Sequence, residues 1–279
     1  MNYITVGKEN SGNIDINYED YGAGKPVVLI HGWPLSLRSW EKQIPALINA
    51  GYRVIAYDRR GFGDSSQPAS GYNYDVFADD LHRVMNKLNL RDATIVGFSM
   101  GGGEVARYLG KYGSERVSKA VFMAAIPPYL IKTADNPEGI DSSVFEGMKK
   151  AVISDRLAFL SAFFSNFYNA DLLMGKRVSE EVLRVSWNIG AGASPIATLD
   201  CISAWLMDFR ADLKRIDVPV LVMHGDADRI LPIVSTGKRT PEFIKICRFV
   251  TVEGAPHGMN WTHAEEVNRE LLAFLKEGK

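Results

Sequence analysis

Ala93-Thr94-Ile95-Val96-Gly97-Phe98-Ser99-Met100-Gly101-Gly102-Gly103 opens with a short run of branched apolar residues and closes at the head of a helix-period segment, Glu104 to Tyr112. A buried strand therefore passes directly into a helix, and the serine lies at the turn between them, which is the setting of a strained nucleophile turn. Side chains two residues before and after such a serine would collide, so glycine is needed at 97 and 101. A phosphate-cradle reading of Gly101-Gly102-Gly103 fails, because no Lys-Ser or Lys-Thr follows and the Gly-x-Gly-x-x-Gly spacing is absent.

Similar apolar runs lie on either side of this stretch. Pro26 to Ile30 and Arg53 to Tyr57 precede it, and Lys119 to Ala124, Val218 to Met223 and Arg248 to Val252 follow it. Continuous apolar runs separated by helix-period segments, such as Tyr74 to Leu88, predict at least six parallel strands with helices on both faces, an α/β fold. Ile14 to Glu19 alternates apolar and polar residues, as an antiparallel edge hairpin does. From Pro127 to Leu213 the alternation stops and only helical patterns remain. This predicts a helical cap, 127–213, inserted into a core made of 1–126 and 214–279. The cap is rich in aromatics, Phe163, Phe167 and Trp205 among them, which either wall an apolar pocket over the sheet edge or pack cap onto core. Thr133 to Ser143, with Asn136-Pro137-Glu138-Gly139, reads as a mobile entrance loop.

With 279 residues, 46% of them hydrophobic, 23% charged and a net charge of -1, the chain has ample core and no electrostatic bias toward nucleic acid. No apolar run is long enough for a bilayer, and Met1 to Lys8 lacks a basic segment followed by an apolar one, so a cytoplasmic protein without membrane contact is expected. The two cysteines, Cys201 and Cys247, have neither zinc-ligand nor redox spacing and read as reduced packing residues. No cofactor and no metal are expected, and a homo-oligomer is compatible with the composition.

A hydroxyl nucleophile needs a base that titrates near neutrality. Of five histidines, His257 alone lies in a glycine-bounded loop after the last predicted strand, Glu253-Gly254-Ala255-Pro256-His257-Gly258. His31, His82, His224 and His263 read as structural. A carboxylate must hold the imidazole in one tautomer, and Met223-His224-Gly225-Asp226-Ala227-Asp228 offers two acids just beyond a strand end. Either reaches the histidine while the other caps the turn. The alternation of His224, Asp226 and Asp228 is a poor metal pattern, since Gly225 ends the strand and no other ligand cluster accompanies it. The order Ser, Asp, His along the chain belongs to this strand-turn-helix architecture and not to the trypsin-like or subtilisin-like orders. Oxyanion donors are expected from the amides of Met100 and, in the loop His31-Gly32-Trp33-Pro34, of Trp33, since Pro34 has none to give.

Taken together, His31-Gly32-Trp33-Pro34, Asp58-Arg59-Arg60-Gly61-Phe62-Gly63-Asp64-Ser65, Gly97 to Gly102, His224 to Asp228 and Gly254 to Gly258 resemble the cofactor-free bacterial haloperoxidase branch of the α/β-hydrolase fold, over essentially the whole chain. That branch includes esterases, perhydrolases and γ-lactamases. The resemblance implies that Ser99, Asp228 and His257 form the catalytic triad, and that the Asp58 to Ser65 motif is a structural turn beneath the active-site loops. It also implies that hydrogen peroxide replaces water on the acyl-enzyme to give a peracid, which oxidises halide without haem or metal. Leu37 and Thr240 depart from the family pattern, where a small residue and a histidine are frequent. Trp33, Phe98, Ile126 and Trp205 are the expected substrate contacts, and the expected substrate is a small carboxylic ester or strained lactam. The other readings of the same motifs are a non-catalytic small-molecule receptor and a hydroxynitrile-lyase-type enzyme. Serine at 99 argues against the carboxylate-nucleophile dehalogenases and epoxide hydrolases.

Overall fold

A computed structural model describes residues 2–277; Met1, Gly278 and Lys279, which end the two predicted core segments, lie outside the described residues. The strands are β1 (Asn2–Glu9), β2 (Gly12–Tyr21), β3 (Pro26–Ile30), β4 (Arg53–Tyr57), β5 (Ala93–Phe98), β6 (Val117–Met123), β7 (Val220–Gly225) and β8 (Cys247–Val252). The helices are α1 (Gln43–Asn49), α2 (Tyr74–Lys87), α3 (Met100–Tyr112), α4 (Ser142–Phe167), α5 (Ala170–Leu173), α6 (Glu180–Gly192), α7 (Pro195–Ala204), α8 (Arg210–Leu213), α9 (Met259–Thr262) and α10 (Ala264–Lys276). The strands form one sheet in the order β1-β2-β4-β3-β5-β6-β7-β8. β1 and β2 are the antiparallel edge, and all pairings from β4 through β8 are parallel.

All six apolar runs are strands. The last but one begins at Val220, because Pro219 has no amide to enter the ladder. Every residue of β5 and β7 is buried, so both faces of the central sheet are covered, which is what a continuous apolar run requires. α2 shows why the flanking helices form where they do: Asn73 accepts a hydrogen bond from the Val76 amide at its start, and Phe77, Leu81, Val84 and Met85 make its buried stripe. The α/β alternation then halts after β6, and α4 to α8 precede β7. α4 is kinked at Asp155, whose carboxylate accepts from the Ala158 amide and restarts the helix.

The stretch expected to be a mobile entrance loop is instead held from inside. Asn136 is fully buried; its amide donates to the carbonyls of Tyr129 and Ile131, and its side-chain carbonyl accepts from Arg239. An Asn-Pro pair reads as an exposed turn in sequence because these partners, above all one 103 positions away, leave no local pattern.

Beneath the strand ends lies a buried polar knot. Arg59 pairs with Glu104 of α3 at 2.8 Å, the Tyr57 hydroxyl donates to the same carboxylate, and a further guanidinium nitrogen of Arg59 donates to the His31 carbonyl at 3.0 Å. The Arg59 amide donates to Nε2 of His31 at 2.9 Å. One ion pair thereby ties the ends of β3 and β4 to the helix that starts at Ser99. Glu104→Ala leaves the guanidinium buried without its carboxylate, and the expected loss is about 3–5 kcal/mol. It should appear as a lower urea midpoint at unchanged m-value.

Candidate active site

Ser99 has φ 55° and ψ -117°, a backbone conformation that L-residues adopt only under constraint. The constraint is visible. The Ser99 amide donates to the Met123 carbonyl of β6, and the Ser99 carbonyl accepts from the amides of Gly102 and Ile126. A Cβ on Gly97 would lie 2.4 Å from the Gly101 carbonyl oxygen, and one on Gly101 would lie 2.4 Å from the Ile30 carbonyl oxygen. The two glycines thus answer different contacts: Gly97 makes room for the turn itself, Gly101 for the end of β3.

Three side chains from three separate loops meet here. The Ser99 hydroxyl lies 2.8 Å from Nε2 of His257, and Nδ1 of His257 lies 2.7 Å from Oδ2 of Asp228. His257 is fully buried, its ring against Phe98 and Phe167 at centroid distances of 5.3 and 5.0 Å. The following amide, of Gly258, donates to the Phe167 carbonyl and fixes the loop to α4. The other oxygen of Asp228 accepts from the amides of Ile230 and Leu231, both at 2.8 Å, which sets the plane of the carboxylate. Asp226 points elsewhere: it accepts from the Gly254 amide at 2.7 Å and so braces the loop that carries His257. Burial raises the Asp228 carboxyl, but the favourable electrostatics of the two imidazoles beside its Oδ2, His257 above all, outweigh it, and the group is held well below the usual carboxylate range. An ionised Asp228 accepts, so Nδ1 of His257 carries the proton and Nε2 is free to accept from the serine.

The loop His31-Gly32-Trp33-Pro34, expected to supply an oxyanion donor, lies against Ser99, since a Cβ on Gly32 would be 2.9 Å from the Ser99 Cβ. The Trp33 amide makes no hydrogen bond among the described residues, and the Met100 amide belongs to the first turn of α3, where helix geometry leaves it without an intrahelical partner. Leu37, on the same loop, donates its amide to Asp58 at 2.7 Å, and Thr240 donates its hydroxyl to the Pro127 carbonyl at 3.1 Å. The Trp33 ring packs edge-on against Trp205 and Phe163, each at 5.0 Å, so the loop after β3 shares one aromatic cluster with α4 and the C-terminal end of α7. Ile126 lies beside the serine, its amide on the Ser99 carbonyl at 3.3 Å. Phe98 is fully buried, filling the space between His257, Phe167 and Trp40. Of the histidines read as structural, His224 is the surprise: its Nε2 lies 3.1 Å from Asp228. The spacing from His224 to Asp228 was the available signal. Among the described residues no group of three or more candidate ligands is placed to hold a metal ion, and no helix is long and apolar enough to cross a membrane.

The sequence pattern of the α/β-hydrolase fold matches residues 25–264. The chain belongs to the α/β-hydrolase family. Within it, the relatives fall in the non-heme haloperoxidase and esterase branch. A Synechocystis protein provisionally named a non-heme chloroperoxidase is 63% identical over 276 residues, covering 99% of this chain and 100% of its own. A bifunctional esterase/perhydrolase of Acinetobacter calcoaceticus is 38% identical, covering 99% of this chain and 100% of its own. The crystal structure of a bromoperoxidase from Bacillus anthracis superposes with a TM-score of 0.95 at 53% identity, covering 99% of each chain.

For this α/β-hydrolase, Asp228→Asn offers an amide where the imidazole needs an acceptor, and the expected loss in kcat is about 10³–10⁴ with the fold retained by circular dichroism. A carboxyl whose folded-state pKa lies below its unfolded value contributes stability that is full above about pH 4–5 and fades as the pH falls toward the folded-state value. Acid unfolding followed by tryptophan fluorescence should accordingly be less steep in Asp228→Asn than in wild type.

Proposed function

We propose that this protein is a serine hydrolase of small carboxylic esters that works through an acyl-enzyme, with hydrogen peroxide as an alternative acceptor to water. The observation that carries the proposal is the unbroken line from the Ser99 hydroxyl through His257 to Asp228, at 2.8 and 2.7 Å, beside a loop whose Trp33 amide is unpaired among the described residues.

His257 takes the hydroxyl proton as Ser99 Oγ bonds to the ester carbonyl carbon, and the carbonyl electrons move onto oxygen. The amides of Trp33 and Met100 hold that oxyanion, and Asp228 stabilises the imidazolium. Collapse of the tetrahedral species breaks the C–O bond to the alcohol, which leaves with the proton from His257. Water, deprotonated by His257 in its turn, then attacks the acyl-serine and releases the acid. With peroxide as the nucleophile the same step releases a peracid, and the peracid in solution transfers oxygen to a halide ion. This chemistry accounts for the haloperoxidase and esterase/perhydrolase names of the relatives with one site. A strained lactam presents the same carbonyl and is the proposed second substrate class. Residues 127–213 act as the cap, and the Trp33, Phe163 and Trp205 cluster joins it to the oxyanion loop, an apolar surround suited to short acyl groups.

Wild type should hydrolyse a short-chain aryl ester in the presence of chelator, and Ser99→Ala should lose about three or more orders of magnitude in kcat/KM. With peroxide, bromide and a carboxylate or ester supplied, bromination of a chromogenic β-diketone should depend on Ser99 equally. A Ser99→Ala variant that keeps either activity overturns the assignment.

A further inference from the structure

Asp228 is gripped by more than the residues used so far. His224, the next-to-last residue of β7, is fully buried, and its Nε2 lies 3.1 Å from Oδ2 of Asp228, the oxygen that also faces His257, and 2.9 Å from the Leu231 carbonyl. Both neighbours of that nitrogen accept and neither donates, so Nε2 carries a proton. Its other nitrogen, Nδ1, has no hydrogen-bond partner among the described residues and is covered by Gly237, where a Cβ would lie 2.6 Å away. A buried polar atom left without a partner is costly, and an aromatic or aliphatic ring-sized side chain would avoid the cost. What the imidazole supplies at this position is the N–H at its far end.

We propose that His224 is a positioning residue of the catalytic machinery, a second imidazole donor that fixes the Asp228 carboxylate in the orientation in which it receives His257. Three N–H groups hold the carboxylate by hydrogen bonds, the Ile230 and Leu231 amides on one oxygen and His257 on the other, and Nε2 of His224, bonded to the Leu231 carbonyl, lies 3.1 Å from that second oxygen. The backbone donors set its plane; His224 adds an N–H beside the oxygen that faces His257. The effect reaches the substrate only through Asp228 and His257, so it belongs to kcat and not to ground-state binding. This inference rests on the reading of Ser99, His257 and Asp228 as nucleophile, base and acid.

The test uses side chains that differ in where they place a donor. His224→Phe keeps a ring and removes the N–H; His224→Asn reaches only the Nδ1 position; His224→Gln reaches the Nε2 position with an amide N–H. Phe and Asn should each lower kcat on an aryl ester by about tenfold or more. KM should stay within about twofold of wild type, and Gln should recover most of kcat whatever its thermal midpoint. In an Asp228→Asn background, none of the three should change kcat further, because the group through which His224 acts is gone. If Phe does not fold, the comparison of Asn with Gln still decides. Wild-type kcat in Phe or Asn overturns the proposal, and so does a loss that Gln fails to restore or that persists in full on Asp228→Asn. Ser99→Ala run in parallel separates the two levels: an active Ser99→Ala sinks the reading of the site, whereas an inert Ser99→Ala beside a silent His224→Phe sinks only the role of His224.

Discussion

The conformation of Ser99 is a local cost that only non-local contacts can sustain. At φ 55° and ψ -117° the residue is off the favoured regions for an L-amino acid, and nothing in the residues 97–101 alone would hold it there. It is held because β5 and β6 are hydrogen-bonded neighbours that fix the Ser99 amide on Met123, and because α3 is drawn against the end of β3 closely enough that no side chain fits at Gly101. The Arg59–Glu104 pair fastens the same helix to the ends of β3 and β4 from below. The sheet order places β3 and β6 on either side of β5, and that adjacency is what converts a stretch of eleven residues into a rigid pedestal for one hydroxyl.

The remaining members of the site are aimed by loops that leave neighbouring parallel strands at the same edge of the sheet. β7 delivers Asp228 and β8 delivers His257, and the two loops are stitched by Asp226 on the Gly254 amide. Asp226 and Asp228, chemically identical and two residues apart, divide the work: one joins loop to loop, the other faces the imidazole. Both lie past the end of β7, in the turn that follows Gly225, where the two-residue period of a strand, which would put them on one side, no longer applies.

That division explains which parts of the site were legible in the sequence. The strands, the turn at Ser99 and the loop that brings His257 to it follow from local features, since continuous apolar runs, glycine at fixed offsets from a serine and a histidine between glycines each have a local physical cause. Asp226 and Asp228 were not separable from the residues alone, because the choice depends on where β8 sits relative to β7; resemblance to a family supplied it. The burial of Asn136 and the contact of His224 with Asp228 were not read from the sequence for the same reason. Asn-Pro has the composition of an exposed turn and a histidine before glycine that of a strand terminus, while their partners are set by packing. Phe98 illustrates the converse: its place within the nucleophile motif suggested a substrate contact, whereas the structure buries it under His257, where it supports the ring.

The same geometry bears on the proposal that one site serves two acceptors. Asp228, His257 and Phe98 are buried, and Ser99 is 7% exposed, so the groups of the proposed mechanism are largely shielded from bulk solvent. The walls contributed by Trp33, Phe163 and Trp205 are aromatic and carry few polar atoms. An acyl-enzyme in such surroundings is attacked by whichever small nucleophile is present and can give a proton to His257, and peroxide, more nucleophilic than water and little larger, meets both conditions without a dedicated binding site. Selectivity between water and peroxide would then follow from how long the acyl-serine survives, which is governed by how well the base is aligned. On this view the rigidity of Asp228, gripped on both oxygens, is the structural variable that connects hydrolysis with perhydrolysis, and the cap residues act on which acyl group enters.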